Sequence, residues 1–265
     1  MKVQQLIDGI QKRDMVLPEF QREYVWSREQ AKQLMASLTK DYPVGGMLFW
    51  NTDAPPELKN IDELPDKLGT LDVILDGQQR MTTLYLLIMG EIPPYYTEND
   101  IENDPRKLYF NLEDGDFQYY QASRMKDNPL WLRVVGCFQN EHKINVFAIA
   151  KERTDDESEA FELAQSFSEN LTRLRQIPQM DFPVQVVPPR ATIDDAIDIF
   201  ARVNSQGTKL TDADLALTHV TGKWPQARRE MKDKIANLAQ NDLTPVFVPL
   251  SKSVQVVIVE EIVLQ

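Results

Sequence analysis

Apolar residues at Val3, Leu6, Ile7 and Ile10 recur at the spacing of one helical face, so the chain opens on a short amphipathic helix. Residues 15–17 read as an extended piece leading into Pro18. Ser27 followed by Gln30 has the capping-box arrangement, and Ala31, Leu34, Met35 and Leu38 supply the apolar face of the helix it starts. Pro43 is expected to stop that helix. Residues 46–50 and 71–75 are compact apolar runs that predict strands, with a proline- and acid-rich surface loop at 53–70 between them. Asp76–Gly77–Gln78–Gln79–Arg80 then leads into a helix expected to bury Met81, Leu84, Leu87 and Ile88 and to end at Gly90 and Pro93. A hairpin is predicted where residues 107–112 and 117–121 flank the turn Glu113, Asp114, Gly115, Asp116. Residues 123–180 are mainly helical by pattern, including 161–177, and 182–187 return to strand character. Thr192 with Asp195 caps a helix reaching Val203 that halts at residues 204–207. Thr211 with Asp214 opens another helix, and residues 225–240 form a further one. The sum is a mixed α/β (α+β) chain without internal repeats.

Composition narrows the class. A chain of 265 residues, 42% apolar and 26% charged, can bury one substantial core, or one core with a helical extension. The opening residues lack the apolar centre of a secretion signal, and no stretch of about 18 apolar residues suggests a membrane span. One cysteine, Cys137, sits among Leu132, Val134, Val135 and Phe138, reads as a packed bystander, and suits a reducing cytoplasm. The net charge of −12 argues against a generally basic nucleic-acid coat. The acid is uneven, however. Residues 1–50 hold seven Lys and Arg against six Asp and Glu, whereas residues 51–120 hold five against fifteen. A near-neutral face around the N-terminus therefore remains available. Residues 254–264 are strongly apolar and run to the end without a helix stop, which leads us to expect a longer parent chain.

Three clusters could carry chemistry. At the turn after Leu75, Gly77 can adopt backbone angles other residues resist. The first helical amides then point outward with the positive end of the helix dipole, an anion site in principle. Arg80 adds a forked cation suited to phosphate. Gln78 and Gln79 could orient water or donate to phosphate, Thr82 and Thr83 add hydroxyls one turn on, and Asp76 could hold a divalent ion or position Arg80. A structural turn in which Asp76 pairs with Arg80 accounts for the same residues. No Gly-Lys-Thr or Gly-Lys-Ser phosphate loop occurs. The second cluster, Leu17 to Trp26, sets Phe20, Tyr24 and Trp26 beside Gln21 and Arg22, either as a recognition surface or as an aromatic anchor for the following helix. The third, Phe200 to Leu210, has Asn204 and Gly207 where a helix would end.

Together these clusters resemble the N-terminal domain family of GmrSD-type, modification-dependent restriction enzymes, also found in the phosphorothioation-sensing SspE proteins. The matching segments are FQREYVW at 20–26, DGQQR at 76–80 and FARVNSQGTKL at 200–210, and the likeness spans about residues 1–220. The resemblance implies a ParB/sulfiredoxin-like core forming a nucleotide-binding domain over 1–210. It also implies a helical insertion at about 123–180 and a helical extension at 211–265. It implies nucleoside triphosphate hydrolysis with Mg²⁺, the base unspecified, carried by Asp76, Gln78, Gln79 and Arg80. Gly77, Gln21, Arg22, Thr82, Thr83 and Asn204 would contact the nucleotide, and Asp76 is the candidate metal ligand. Phe20, Tyr24 and Trp26 would sense the modification on DNA. Complete enzymes of this kind resemble two-part proteins with an HNH-type nuclease half. Only His142 and His219 are available here, so the expected partners are modified DNA and a nuclease on a further domain or subunit, with no membrane and with self-association left open. A non-hydrolysing adaptor, or a ParB-like nucleotide-switched DNA-binding protein, is the competing expectation.

Overall fold

A computed structural model describes residues 1–61, 69–139, 144–187 and 189–204, with a few positions between 220 and 234. In chain order the elements are α1 (Val3–Gln11), β1 (Met15–Val16), α2 (Arg28–Leu38), β2 (Met47–Thr52), β3 (Leu71–Asp76) and α3 (Gln78–Met89). Then come β4 (Leu108–Asn111), β5 (Phe117–Tyr119), α4 (Ala122–Met125), β6 (Trp131–Arg133), α5 (Val134–Gln139), α6 (Val146–Lys151), α7 (Glu157–Gln176), β7 (Val184–Val187) and α8 (Ile193–Asn204). The protein is thus of the mixed α/β class. The helices expected from Thr211 and over 225–240, and the apolar stretch 254–264, lie wholly or mostly outside the described residues.

The described chain divides into two compact units. One comprises Met1–Arg13, Glu23–Gly46 and Gly77–Val184; the other comprises Asp14–Arg22, Met47–Asp76 and the chain from Gln185 onward. The second unit is built on a four-stranded sheet ordered β1-β3-β2-β7. β1 runs parallel to β3, and β2 runs antiparallel to it. Val16, Leu48, Trp50, Val73 and Leu75 project from the strands into a core shared with Phe20 and with Ala196, Ile197 and Phe200 of α8. α8 begins as its sequence demands: Thr192 donates to the Asp195 carboxylate, whose backbone N–H returns a bond to the Thr192 hydroxyl. Part of the expected surface loop is also core. Leu58 and Lys59 are buried, because Lys59 N–H donates to Leu17 O and Glu19 N–H to Glu57 O. Residues 57–59 therefore behave as a partner for the 17–19 segment.

The first unit is helical around α3, with a small sheet ordered β5-β4-β6. The expected hairpin forms, Leu108 opposite Tyr119 and Phe110 opposite Phe117, with Gly115 in the turn; β6 joins β4 as an unanticipated third strand. α2 keeps its capping box, Ser27 and Gln30 bonding reciprocally, and buries the four apolar residues expected of it. It ends before Pro43 acts: Thr39 is its C-cap and Asp41 takes a left-handed φ of 55°. α3 departs most from expectation. Ten of its twelve residues are buried, including Gln78, Gln79, Thr82 and Thr83. Val3, Leu6, Ile7 and Ile10 of α1 surround the same apolar space as Met81 and Leu84, and α5 packs against the helix as well. It is a central helix, and its polar stripe has to find partners inside the protein. Among the described residues no helix is long and apolar enough to cross a membrane.

Candidate functional site

The site is built at the start of α3. Gly77 is its N-cap in the left-handed conformation, φ 93° and ψ 0°, which a side chain would resist and which lets the chain turn at once from β3 into the helix. The first intrahelical bond runs from Met81 N–H to Gly77 O, so the amides of residues 78–80 form the opening turn, where the positive end of the helix dipole lies. Asp76, half-buried, is the last residue of β3. Arg80, also half-buried, places its Nη1 2.7 Å from Val44 O and donates to it.

The end of β3 is irregular in the same place. Its register with β2 shifts between Leu48, opposite Asp76, and Phe49, opposite Ile74, leaving Leu75 as an extra residue. The Gln21 side-chain amide donates to Ile74 O and Leu75 O at 3.2 and 2.9 Å. Gln21 is 3% exposed. Gln21, an expected phosphate contact, bonds its amide to the bulged strand leading into the turn. Arg22 is half-buried.

Polar residues on α3 divide into two stripes at helical spacing. Gln78 and Thr82 turn to the tyrosine pair that follows the helix: the Gln78 amide donates to the Tyr96 hydroxyl, and the Thr82 and Tyr95 hydroxyls bond at 3.2 Å. Gln79 and Thr83 turn to the 23–26 segment. Gln79 Oε1 accepts the N–H groups of Val25 and Trp26 at 2.9 and 3.1 Å, and its Nε2 donates to Glu23 O at 2.9 Å. Thr83 donates to Gln79 O, so the Tyr24 hydroxyl donates in turn to Thr83. These bonds bear on several of the expected roles. Gln78 and Gln79, expected to orient water or donate to phosphate, are buried and hydrogen-bonded within the protein. Thr82 and Thr83, expected as phosphate hydroxyls, are fully buried.

Much of the aromatic segment is buried as well. Phe20, 2% exposed, packs its ring 5.6 Å from Phe200, joining the first and third motifs inside one core. Tyr24 is equally enclosed, and burial pushes its phenol up to about 12. Both side chains, expected to sense the modification, are buried. Of the segment's hydrophobic residues, Val25 is exposed and Trp26 half-buried. Asn204 is the last described residue of α8; its side chain and residues 205–210, where the helix is expected to halt, lie outside the described residues. Cys137 is buried, its thiol pushed up to about 12 by that burial with Arg175 opposing weakly, in keeping with a packing role.

Sequence reasoning overlooked Tyr95, Tyr96 and the 44–46 segment. One signal was present: polar residues at 78, 79, 82 and 83 on a helix otherwise rich in Leu, Ile and Met demand buried partners, and adjacent tyrosines beyond its end can supply them.

The chain is 29% identical over 135 residues to an uncharacterized protein of Methanocaldococcus jannaschii, a match covering 43% of this chain and 23% of that relative. The chain therefore spans less than a quarter of the curated relative it matches. The family model for the N-terminal domain of the GmrSD restriction endonuclease matches residues 3–221. That span takes in all three motifs, the turn at Gly77 and every complete element described above, so the chain belongs to the GmrSD restriction endonuclease N-terminal domain family.

Proposed function

We propose that this chain is the nucleotide-binding, modified-DNA-sensing part of a restriction system in phage defence, working with a nuclease centre on a further domain or subunit. The observation that carries the proposal is the start of α3: a left-handed glycine N-cap, an opening turn of amides, and a braced arginine on the same turn. Polyphosphate would be held by the amides of residues 78–80 with the Arg80 guanidinium, while Gln79, Gln78 and Gln21 keep the surrounding segments in place. A sheet whose strand β3 runs straight into this glycine turn is also what a ParB-like nucleotide site would need.

Among the described residues no group of three or more His, Cys, Asp or Glu is placed to hold a metal ion unaided. Mg²⁺ keeps several waters and binds through one or two carboxylates together with substrate phosphates, so it needs no such cluster. Asp76 would be the carboxylate. The ion and triphosphate, when bound, would bring the phosphoanhydride and the neutralising charge; the protein's share is to bind and orient them. Purified chain with Mg²⁺ and fluorescent ATP or GTP analogues, with phosphate release followed in parallel, tests this. Arg80→Ala should weaken binding about tenfold or more, the value of a hydrogen bond to a charged group. Wild-type affinity and turnover in that variant would end the proposal.

A second reading, binding without turnover, is favoured by the engagement of both glutamines of the motif. Nucleotide affinity without detectable phosphate release, with or without modified DNA, would select it. The net charge of −12 leads to weak binding of plain duplex at physiological salt under either reading.

A further inference from the structure

The strap Val44–Gly45–Gly46 precedes β2 and belongs to the same compact unit as α3. Gly45 takes a left-handed φ of +84° beside Arg80. A Cβ at Gly45 would overlap Nη1 of Arg80 and stand 3.4 Å from its Cζ. The strap cannot easily retreat, because a Cβ on Gly46 would lie 3.0 Å from the backbone oxygen of Pro183. The guanidinium is the end of a long side chain and is the partner that can move. We propose that Gly45 is a positioning residue: its missing side chain, with the Val44 carbonyl, forms the seat that aims Arg80 at the opening turn of α3, so substitution there is felt in anion binding more than in folding. This rests on the anion-site reading above.

Gly115 provides the comparison that isolates the effect. Its φ of +72° imposes the same kind of backbone strain, yet a Cβ there would meet only Asn170 at 3.6 Å, an ordinary contact. Gly45→Ala and Gly115→Ala should therefore both fold, with similar losses in urea midpoint. Only Gly45→Ala should lose affinity for the fluorescent ATP or GTP analogue with Mg²⁺, by about tenfold or more as the seated hydrogen bond is broken. In an Arg80→Ala background Gly45→Ala should add nothing to the loss, since no guanidinium remains to displace. Equal affinity in Gly45→Ala and Gly115→Ala, a further loss in the Arg80→Ala background, or failure of Gly45→Ala to fold where Gly115→Ala folds would each overturn the seat. Binding lost in Arg80→Ala but kept in Gly45→Ala sinks the seat alone. A wild-type chain that binds neither analogue sinks the anion site and the seat with it.

Discussion

Gln79→Ala separates the two roles a glutamine at this position can have. In the structure the side chain is 8% exposed and makes three hydrogen bonds to the backbone of the 23–26 segment. Truncation removes all three and leaves two N–H groups and one carbonyl to find partners. At about 0.5–1.5 kcal/mol for each bond, the expected loss is about 2–4 kcal/mol. A domain of ordinary stability holds about 5–15 kcal/mol, so the variant keeps its fold at a much reduced margin. In urea, where slopes are about 1–3 kcal/mol per molar, the midpoint should fall by about 1–2 M with an unchanged slope. Gln79→Glu should fall between the two at neutral pH: its carboxylate still accepts from Val25 and Trp26 but cannot donate to Glu23 O. A loss under about 0.5 kcal/mol for Gln79→Ala, together with abolished phosphate release, would refute this reasoning and return the residue to a water-orienting role.

Three other outcomes follow from buried groups. Phe200→Ala should destabilise by about 3–5 kcal/mol through the cavity left beside Phe20, and a chemical-denaturation loss below about 1 kcal/mol would contradict the shared core. Burial, partly offset by the Thr83 hydrogen bond, raises the Tyr24 phenol to about 12, and burial raises Tyr95 and Tyr96 as well. An unfolded tyrosine ionises near 10, so the stability from keeping these phenols neutral is complete below about pH 10. For Tyr24 it is lost between about pH 10 and 12, by up to about 1.4 kcal/mol per pH unit, and for the more strongly raised Tyr95 and Tyr96 the loss continues to higher pH. Tyrosinate absorbance that rises fully near pH 10 while the fold persists would contradict it. The Cys137 thiol, buried and raised to about 12, should react with a maleimide far more slowly in the native protein than in urea at the same pH; equal rates would place it at the surface.

The elements read correctly from the chain are those whose causes lie close together in sequence. The capping boxes at Ser27–Gln30 and Thr192–Asp195, and the hairpin around Gly115, need only residues a few positions apart, and each forms as expected. Gly77 was legible for the same reason: a strand that must become a helix within one residue calls for a left-handed turn. Residues 57–59 were misjudged because their partner, the 17–19 segment, lies some forty positions away and nothing in their own composition announces it.

What the amino-acid order determined unaided was the inventory: an α+β chain, its principal helices and strands, a glycine turn opening α3, and three motifs in a family's order. Only the tertiary structure decided what the polar residues of those motifs do. An amide or hydroxyl has no role until its partner is placed, and burial leaves it no water to bond instead. Folding set Gln79 against the backbone of residues 23–26, Gln21 against the bulge of β3, and Thr82 and Thr83 against tyrosines. It set the Arg80 guanidinium on the carbonyl of Val44, beside a glycine that no local pattern had marked.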